Sequence, residues 1–255
     1  MAKLCSKNAL RKIASLCLKS AKVLMASGAE TNRVETTVEH IGQACGTPVE
    51  SYATPTGITV TVGRERTITI VTRVKNRTID LAKVIAVNSI SRDLAAGKIS
   101  FQSADKAVDE IIRKPPLYNQ TTMYIFQAIC CAGFGMMIAG NLISIIPSLL
   151  VGLLAKYVEQ KCAKLAPFLM VFLNGLAVTI FADIWCLFFS SVEHRAIVIA
   201  GMVPLLPGLA LTNAIADLMA GELLAGIART TDATLTSAAL AAGAVVGMSM
   251  GQWFL

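Results

Sequence analysis

The second half of this chain is almost without charge. Of 23 Lys+Arg and 16 Asp+Glu, residues 121–255 hold 5 and 6, while residues 1–120 hold 18 and 10. The formal net charge of +7 therefore belongs to the first half. Between 121 and 155 no Lys, Arg, Asp or Glu occurs. A soluble helix needs a polar face, so a run of that length excludes a soluble fold for this part.

Other absences narrow the field. None of the cysteines Cys5, Cys17, Cys45, Cys130, Cys131, Cys162 and Cys186 forms a C-x-x-C pair; free thiols are expected rather than a disulfide framework. His40 and His194 stand alone, which argues against a metal site. No Gly-rich phosphate loop or nucleophile elbow occurs, so no cofactor is expected. Residues 1–22 alternate Lys3, Lys7, Arg11, Lys12, Lys19 and Lys22 with short apolar steps. They hold no cleavable signal, and insertion falls to the first span. The basic half lacks an aromatic stacking set, so nucleic acid is not expected as a partner. Positive charge beside membrane lipids explains it more simply.

What is present falls into two parts. Residues 8–27 read as an amphipathic helix, with Leu10, Ile13, Ala14, Cys17, Ala21, Leu24 and Met25 on one face. Packing on its own domain is preferred to lying on an anionic membrane surface. Ser27 to Glu30 reads as a capping box opening a second helix, lined by Val34, Val38, Ile41 and Cys45 and stopped by Gly46 and Pro48. The period then changes to two: Ile58, Val60 and Val62, a polar turn at 63–66, then Ile68 and Ile70. That is a hairpin, with 49–53 as a third strand. Helices are expected at 78–96 and 103–113, the latter stopped by Pro115 and Pro116. Residues 1–117 are thus expected to form a cytosolic α+β domain.

Residues 118–255 are expected to form a transmembrane helical bundle. A span takes about 20 residues, which places spans near 121–140, 142–156, 166–189, 196–217 and 233–255. The fold class is therefore an α-helical integral membrane protein with about five transmembrane helices. Lys156, Lys161 and Lys164 between spans two and three put the N-terminus in the cytosol and the C-terminus outside.

Ionisable groups inside spans are functional suspects. Asp183 has no Lys or Arg in its own span, and is either functional, or a carboxylate snorkelling near the outer surface or hydrogen-bonded to a neighbouring helix. Asp217 follows a span broken by Pro204, Pro207 and Gly208. Backbone freed at membrane depth needs protein or a watery cavity to satisfy it, and broken helices supply transporter binding sites. Asn213 and Asp217, four apart, share one face. The site reading is preferred to that of a kinked packing helix with Asp217 at the cytosolic interface. Asn174 is a weaker polar candidate. Gly243, Gly247 and Gly251 mark a helix–helix face, which could also serve a partner.

Three motifs then resemble a known family. They are Ser27-Gly-Ala-Glu-Thr-Asn-Arg-Val-Glu35, Arg77-Thr-Ile-Asp-Leu-Ala-Lys-Val-Ile-Ala-Val-Asn88, and Val203-Pro-Leu-Leu-Pro-Gly208 running through Asn213, Asp217, Gly221 and Ala225-Gly-Ile-Ala-Arg229. Together, over nearly the whole chain, they are similar to the N-terminal unit of the threonine/serine exporter family. The resemblance implies a multi-pass exporter of small polar metabolites in the bacterial cytoplasmic (plasma) membrane, without ATP hydrolysis. Single-chain members carry a second, smaller membrane unit. This sequence stops at Leu255, which resembles the long subunit of the split branch, for which succinate export is implied. A separate small membrane subunit is then the expected partner, in an oligomeric assembly.

Three functions follow for weighing. The leading one is an exporter subunit in which Asp217 and Asn213 contact substrate or a coupling proton. Acidic spans suit an amino group or proton, whereas the chain's architecture points to a dicarboxylate. A second makes the cytosolic domain a regulatory or assembly module, with Glu30, Arg33 and Glu35 as its motif. The third, a hydrolase acting through Glu30, Arg33, Glu35 or Glu39, is the weakest, since surface acids at helical spacing are usually solvated.

Overall fold

The computed structural model of the chain describes residues 7–75, 77–115, 117–189 and 192–254, without the side chains of 252–254. Lys3, Cys5, Pro116 and Leu255, invoked above, lie outside the described residues. The chain divides into two compact units. The first is Met1–Leu117 with Leu209–Thr230, and the second is Tyr118–Gly208 with Thr231–Leu255. A segment read from the sequence as part of the bundle thus groups with the N-terminal residues.

The first unit opens with α1 (Lys7–Ala26) and α2 (Thr31–Ala44). The strands β1 (Val49–Thr54), β2 (Gly57–Val62) and β3 (Ile68–Arg73) form one antiparallel sheet in the order β1-β2-β3. In β2 the alternation places Ile58, Val60 and Val62 inward and fully buried. The register pairs Val49 with Val62 and Val62 with Ile68. The expected hairpin is formed, and the third strand beside it.

The apolar stripe of α1 is buried in the same core as α2, the sheet, α3 (Leu81–Ala95) and α4 (Phe101–Arg113). Leu16 and Leu24 are completely covered, each worth about 1.5–3 kcal/mol of transfer free energy. Cys17 lies among them, and burial pushes its thiol up to about 12. The face that might have lain on lipid is thus the domain's own core. At the far edge Lys19 bridges Asp105 at 3.0 Å and Asp109 at 2.8 Å, tying α1 to α4. Asp80 caps α3 by accepting from Lys83 N, and Ser100 caps α4 by accepting from Ser103 N.

The second unit holds α5 (Gln120–Ala139), α6 (Ile145–Lys161), α7 (Pro167–Phe188), α8 (His194–Met202) and the 3-10 turn Val203–Leu205. It also holds the later part of α10 (Leu223–Phe254), while α9 (Gly208–Met219) lies almost wholly in the first unit. Asn119 caps α5, and Gly140, left-handed at φ 65°, ends it at the expected break. Small residues set the packing. A Cβ on Gly152 would lie 2.9 Å from Cys131 Sγ, and one on Gly247 would lie 2.8 Å from Thr179 Cβ. On Gly243 it would strike the Phe172 carbonyl, and on Gly251 the Asp183 carboxylate. The glycine stripe of α10 is therefore filled by α7 of the same chain and is not left for a partner.

Much of the second unit's apolar surface faces outward, including Ile125, Phe126, Ile129, Ile184, Leu187 and Val245. Exposed apolar area on this scale fits a hydrocarbon surround. Among the described residues three helices are long and apolar enough to cross a membrane: Gln120–Ala139, Pro167–Phe188 and Leu223–Gly251. The broken pair His194–Leu205 and Gly208–Met219 makes a fourth if taken as one span. The expected five also needs α6, which has 17 residues and a length of about 26 Å.

Candidate functional site

The polar centre of the first unit is the loop between α1 and α2. Gly28 turns it with φ 88°, a conformation that L side chains avoid. The turn presents four successive carbonyls, each with a donor. Ala26 O accepts from Thr78 N at 2.8 Å and Ser27 O from Asp80 N at 3.1 Å. Gly28 O accepts from Asn213 Nδ2 at 2.9 Å, and Ala29 O from Arg229 Nη2 at 2.8 Å. The three motifs that carried the family resemblance therefore meet at this loop.

The capping box expected at Ser27 and Glu30 does not form. Glu30 occupies the cap position of α2 with no side-chain cap bond. Asp217 of α9 takes that role from far along the chain. Its Oδ1 accepts the Thr31 amide at 2.8 Å and its Oδ2 the Thr31 hydroxyl at 3.0 Å. A carboxylate at a helix N-terminus satisfies orphan amides and meets the positive end of the helix dipole.

Arg229 Nε lies 3.0 Å from Asp217 Oδ2, off the line of a hydrogen bond, so the contact is one of charge. Asp217 is 1% exposed and Arg229 9%. A charge so buried needs an opposite charge and hydrogen bonds together, and here it has both. Both carboxylate oxygens are engaged, so the cluster is a closed lock and not an open cleft. Gly226 lets α9 and α10 meet, since a Cβ there would lie 2.5 Å from Leu218 Cγ.

The other sequence candidates are spread out. Glu30, Arg33 and Glu39 are exposed. Glu35 accepts the Ala53 amide at 2.7 Å. Burial holds its carboxyl above the usual range, with the charges of Glu222, Glu39 and Asp217 adding to that and the Ala53 amide opposing it. In the second unit, Asn174 is fully buried and donates to Ala155 O at 3.0 Å. Asp183 Oδ1 stands 2.7 Å from His194 Nε2. His194, read from the sequence as solitary, thus has a partner, and so does Asp183. Pro204 sits in the 3-10 turn, and Pro207 and Gly208 follow it at the start of α9. Among the described residues no group of His, Cys, Asp and Glu could hold a metal.

Sequence reasoning passed over Thr31 as a partner for Asp217, and it used Arg229 only within a motif. A signal for Arg229 was available: it is the sole Lys or Arg after Arg195. A buried Asp217 had no other cation nearby in sequence to pair with.

The apolar helices and the small sheet-bearing unit define a helical membrane protein. The chain belongs to the threonine/serine exporter family: the family model described as "Putative threonine/serine exporter" (ThrE) matches residues 15–251. The chain is 23% identical over 247 residues to the "Probable threonine/serine exporter" of Mycobacterium tuberculosis, covering 93% of this chain and 46% of that protein. It is 25% identical over 249 residues to the "Probable succinate transporter subunit YjjP" of Klebsiella aerogenes, covering 96% of each. The protein of the same description in Escherichia coli is 24% identical over 245 residues, covering 94% of this chain and 95% of that one. The chain thus spans about half of the first relative and nearly all of the other two. No solved structure matches it.

Proposed function

We propose that this chain is one subunit of a secondary-type exporter that moves small amino or carboxylic acids out of the cytoplasm, working with a separate small membrane subunit. Membership of the exporter family carries this reading. The subunit reading is supported by near end-to-end similarity to two relatives described as transporter subunits. The substrate lies between threonine or serine and a succinate-like dicarboxylate, the two classes that the relatives' descriptions span.

In this reading five helices cross the membrane, with α6 as the second and the α8–α9 pair as the fourth. The N-terminal unit is cytosolic and the C-terminus outside. The Asp217–Thr31–Arg229 lock then sits at the cytosolic interface. Its role is gating: α9 follows the Pro204–Gly208 break directly, and α10 continues from Arg229 into the second unit. Releasing Asp217 from Thr31 would free α9 and expose a carboxylate with Asn213 beside it, able to meet an amino group or a proton. Glu30, Arg33 and Glu35 lie on the same loop and helix, which supports a regulatory or assembly role for the N-terminal unit.

The test is a paired efflux assay. Cells express the chain alone, or with the short membrane protein encoded nearest to it, after loading with labelled threonine, serine and succinate. Efflux of one substrate only when both chains are present is the expected result and gives its class. No efflux of any of the three, with both proteins verified in the membrane, overturns the reading. Asp217→Ala should abolish efflux and leave membrane insertion intact.

A further inference from the structure

Lys156 is a buried cation on α6 that the proposed gating does not use. Its side chain is 11% exposed, and Nζ lies 2.9 Å from each carboxylate oxygen of Glu159, which is 36% exposed. Ser148, Gly152 and Lys156, at four-residue spacing, form one stripe of α6. That stripe faces α5, where Gly135 meets Ser148, and Ala128 and Cys131 meet Gly152. Nearer the start of α5, Tyr124 Oη donates to Gln160 Oε1 at 2.6 Å. Gln127 lies between these contacts on the same face, and so is level with Lys156. Its Nε2 is buried and has no hydrogen-bond partner.

The break before α9 stands at the same level. Helix α8 runs antiparallel to α7, from His194 beside Asp183 to Gly201 beside Val178. Gly201 also packs on Val151 of α6. One turn away from that layer, Asn174 of α7 donates to Ala155 O at 3.0 Å, and its Oδ1 is buried without a partner. The turn Val203–Leu205 is likewise one turn beyond Gly201, and it packs against α5. Pro204 has no N–H, which removes the helical donor of the Ala200 carbonyl. A polar layer thus crosses an otherwise apolar unit: Gln127, Lys156 and Asn174 on three helices, with the break on the fourth.

We propose that Lys156 and Gln127 bind the carboxylate of the exported acid, the group common to the amino-acid and dicarboxylate classes, and that Lys156 releases Glu159 as it does so. This rests on the exporter reading above. A buried ammonium needs an opposite charge, and Glu159 supplies it from three residues along the same helix. Pairs at that spacing hold weakly. Glu159 is exposed enough to return to water, whereas Lys156 is not. A substrate carboxylate replaces the lost charge and brings an oxygen for Gln127 Nε2, whose unmade hydrogen bond is costly in a buried place. Lys156, read from the sequence as a loop charge, is thus the cation that the spans lacked. With the proposed topology its end of α6 faces the cytosol, where an exported acid enters.

The test is ligand binding to the full chain, purified in detergent from cells co-expressing the short membrane protein and read as the rise in unfolding temperature with added ligand. Threonine and succinate are the two probes, and which of them binds tells the two sources of the carboxylate apart. Threonine methyl ester and dimethyl succinate, which lack the charge, should give no rise. Lys156→Met and Gln127→Leu should each weaken binding about tenfold or more. Glu159→Gln should tighten it about two- to fivefold, because it removes the internal competitor. That gain separates a binding role from a structural one, in which loss of Glu159 could only harm. Lys161→Gln, on the exposed side of the same helix, should bind as wild type does. No rise with either acid, an equal rise with the esters, wild-type binding in Lys156→Met, or no gain in Glu159→Gln overturns the assignment. If the acid binds as expected but wild type exports none of the substrates, it is the exporter reading that fails and not the subsite. If wild type exports and Lys156→Met exports with unchanged half-saturation, the subsite fails and the exporter reading stands.

Discussion

Asp217 caps a helix that begins 186 residues earlier in the chain, its carboxylate 2.8 Å from the amide of Thr31. The same carboxylate holds Arg229. Removing one member of a buried pair leaves the other charge uncompensated, at a cost of about 3–5 kcal/mol. Asp217→Ala and Arg229→Ala should each destabilise the chain by that order, measured as denaturant unfolding in detergent. Asp217→Leu combined with Arg229→Met should cost much less than the two single changes together, because apolar replacement of both partners leaves no orphan charge. Additive costs in that double-mutant cycle would show that the two side chains act independently.

Gly28 makes a sharper claim about the α1–α2 loop. A Cβ there would find only ordinary contacts, at 3.8 Å from Ile79 Cγ1 and Thr78 O. The barrier to substitution is thus the backbone, at φ 88°. Gly28→Ala should cost about 1–2 kcal/mol and Gly28→Asn less, since Asn tolerates this region better. Equal stability for all three proteins would mean that the loop is not held in this turn.

The features legible in the sequence were those set by neighbours along it. The charge-free run from 121, the alternation of Ile58, Val60 and Val62, and the stripe of α1 all record a local environment at fixed period. Gly140 marked the end of α5 because a left-handed cap wants glycine. The pairing of Asp217 with Thr31 was not legible, since no period relates α2 to α9; its carboxylate looked free because its partners are distant in sequence. The same blindness separated Asp183 from His194, eleven positions apart across a turn. The helix that carries the fifth span begins before the apolar run that marked it. It starts at Leu223, and Arg229 and Asp232 in its first turns carry the charge that set the expected span at 233–255.

The α7–α10 crossing depends on missing side chains. At Gly243 a Cβ would collide with the Phe172 carbonyl, which is backbone and cannot rotate away. Gly243→Ala should therefore destabilise the second unit by about 1–3 kcal/mol. Gly133 of α5 has no neighbour within 4 Å of such a Cβ, so Gly133→Ala should be neutral or mildly stabilising. Thermal unfolding of the two variants in one detergent separates a packing effect from a general intolerance of substitution.

Glu35 gives the first unit a pH dependence of known sign. Burial, with the charges of Glu222, Glu39 and Asp217, raises its carboxyl above the ordinary range, so the folded chain holds the proton more tightly than the unfolded one. The resulting stability is fully present below the unfolded value of about 4.3 and is lost as pH rises through the folded value. Glu35→Gln keeps an oxygen for the Ala53 amide and removes the charge. The variant should therefore match wild type at acid pH and become the more stable protein as pH rises towards neutrality, the gap then levelling off. Unfolding midpoints of both proteins across that range measure it. A gap that shrinks with rising pH would mean that Glu35 is held as a favourable carboxylate by its Ala53 bond, and that the bond outweighs both burial and its acidic neighbours.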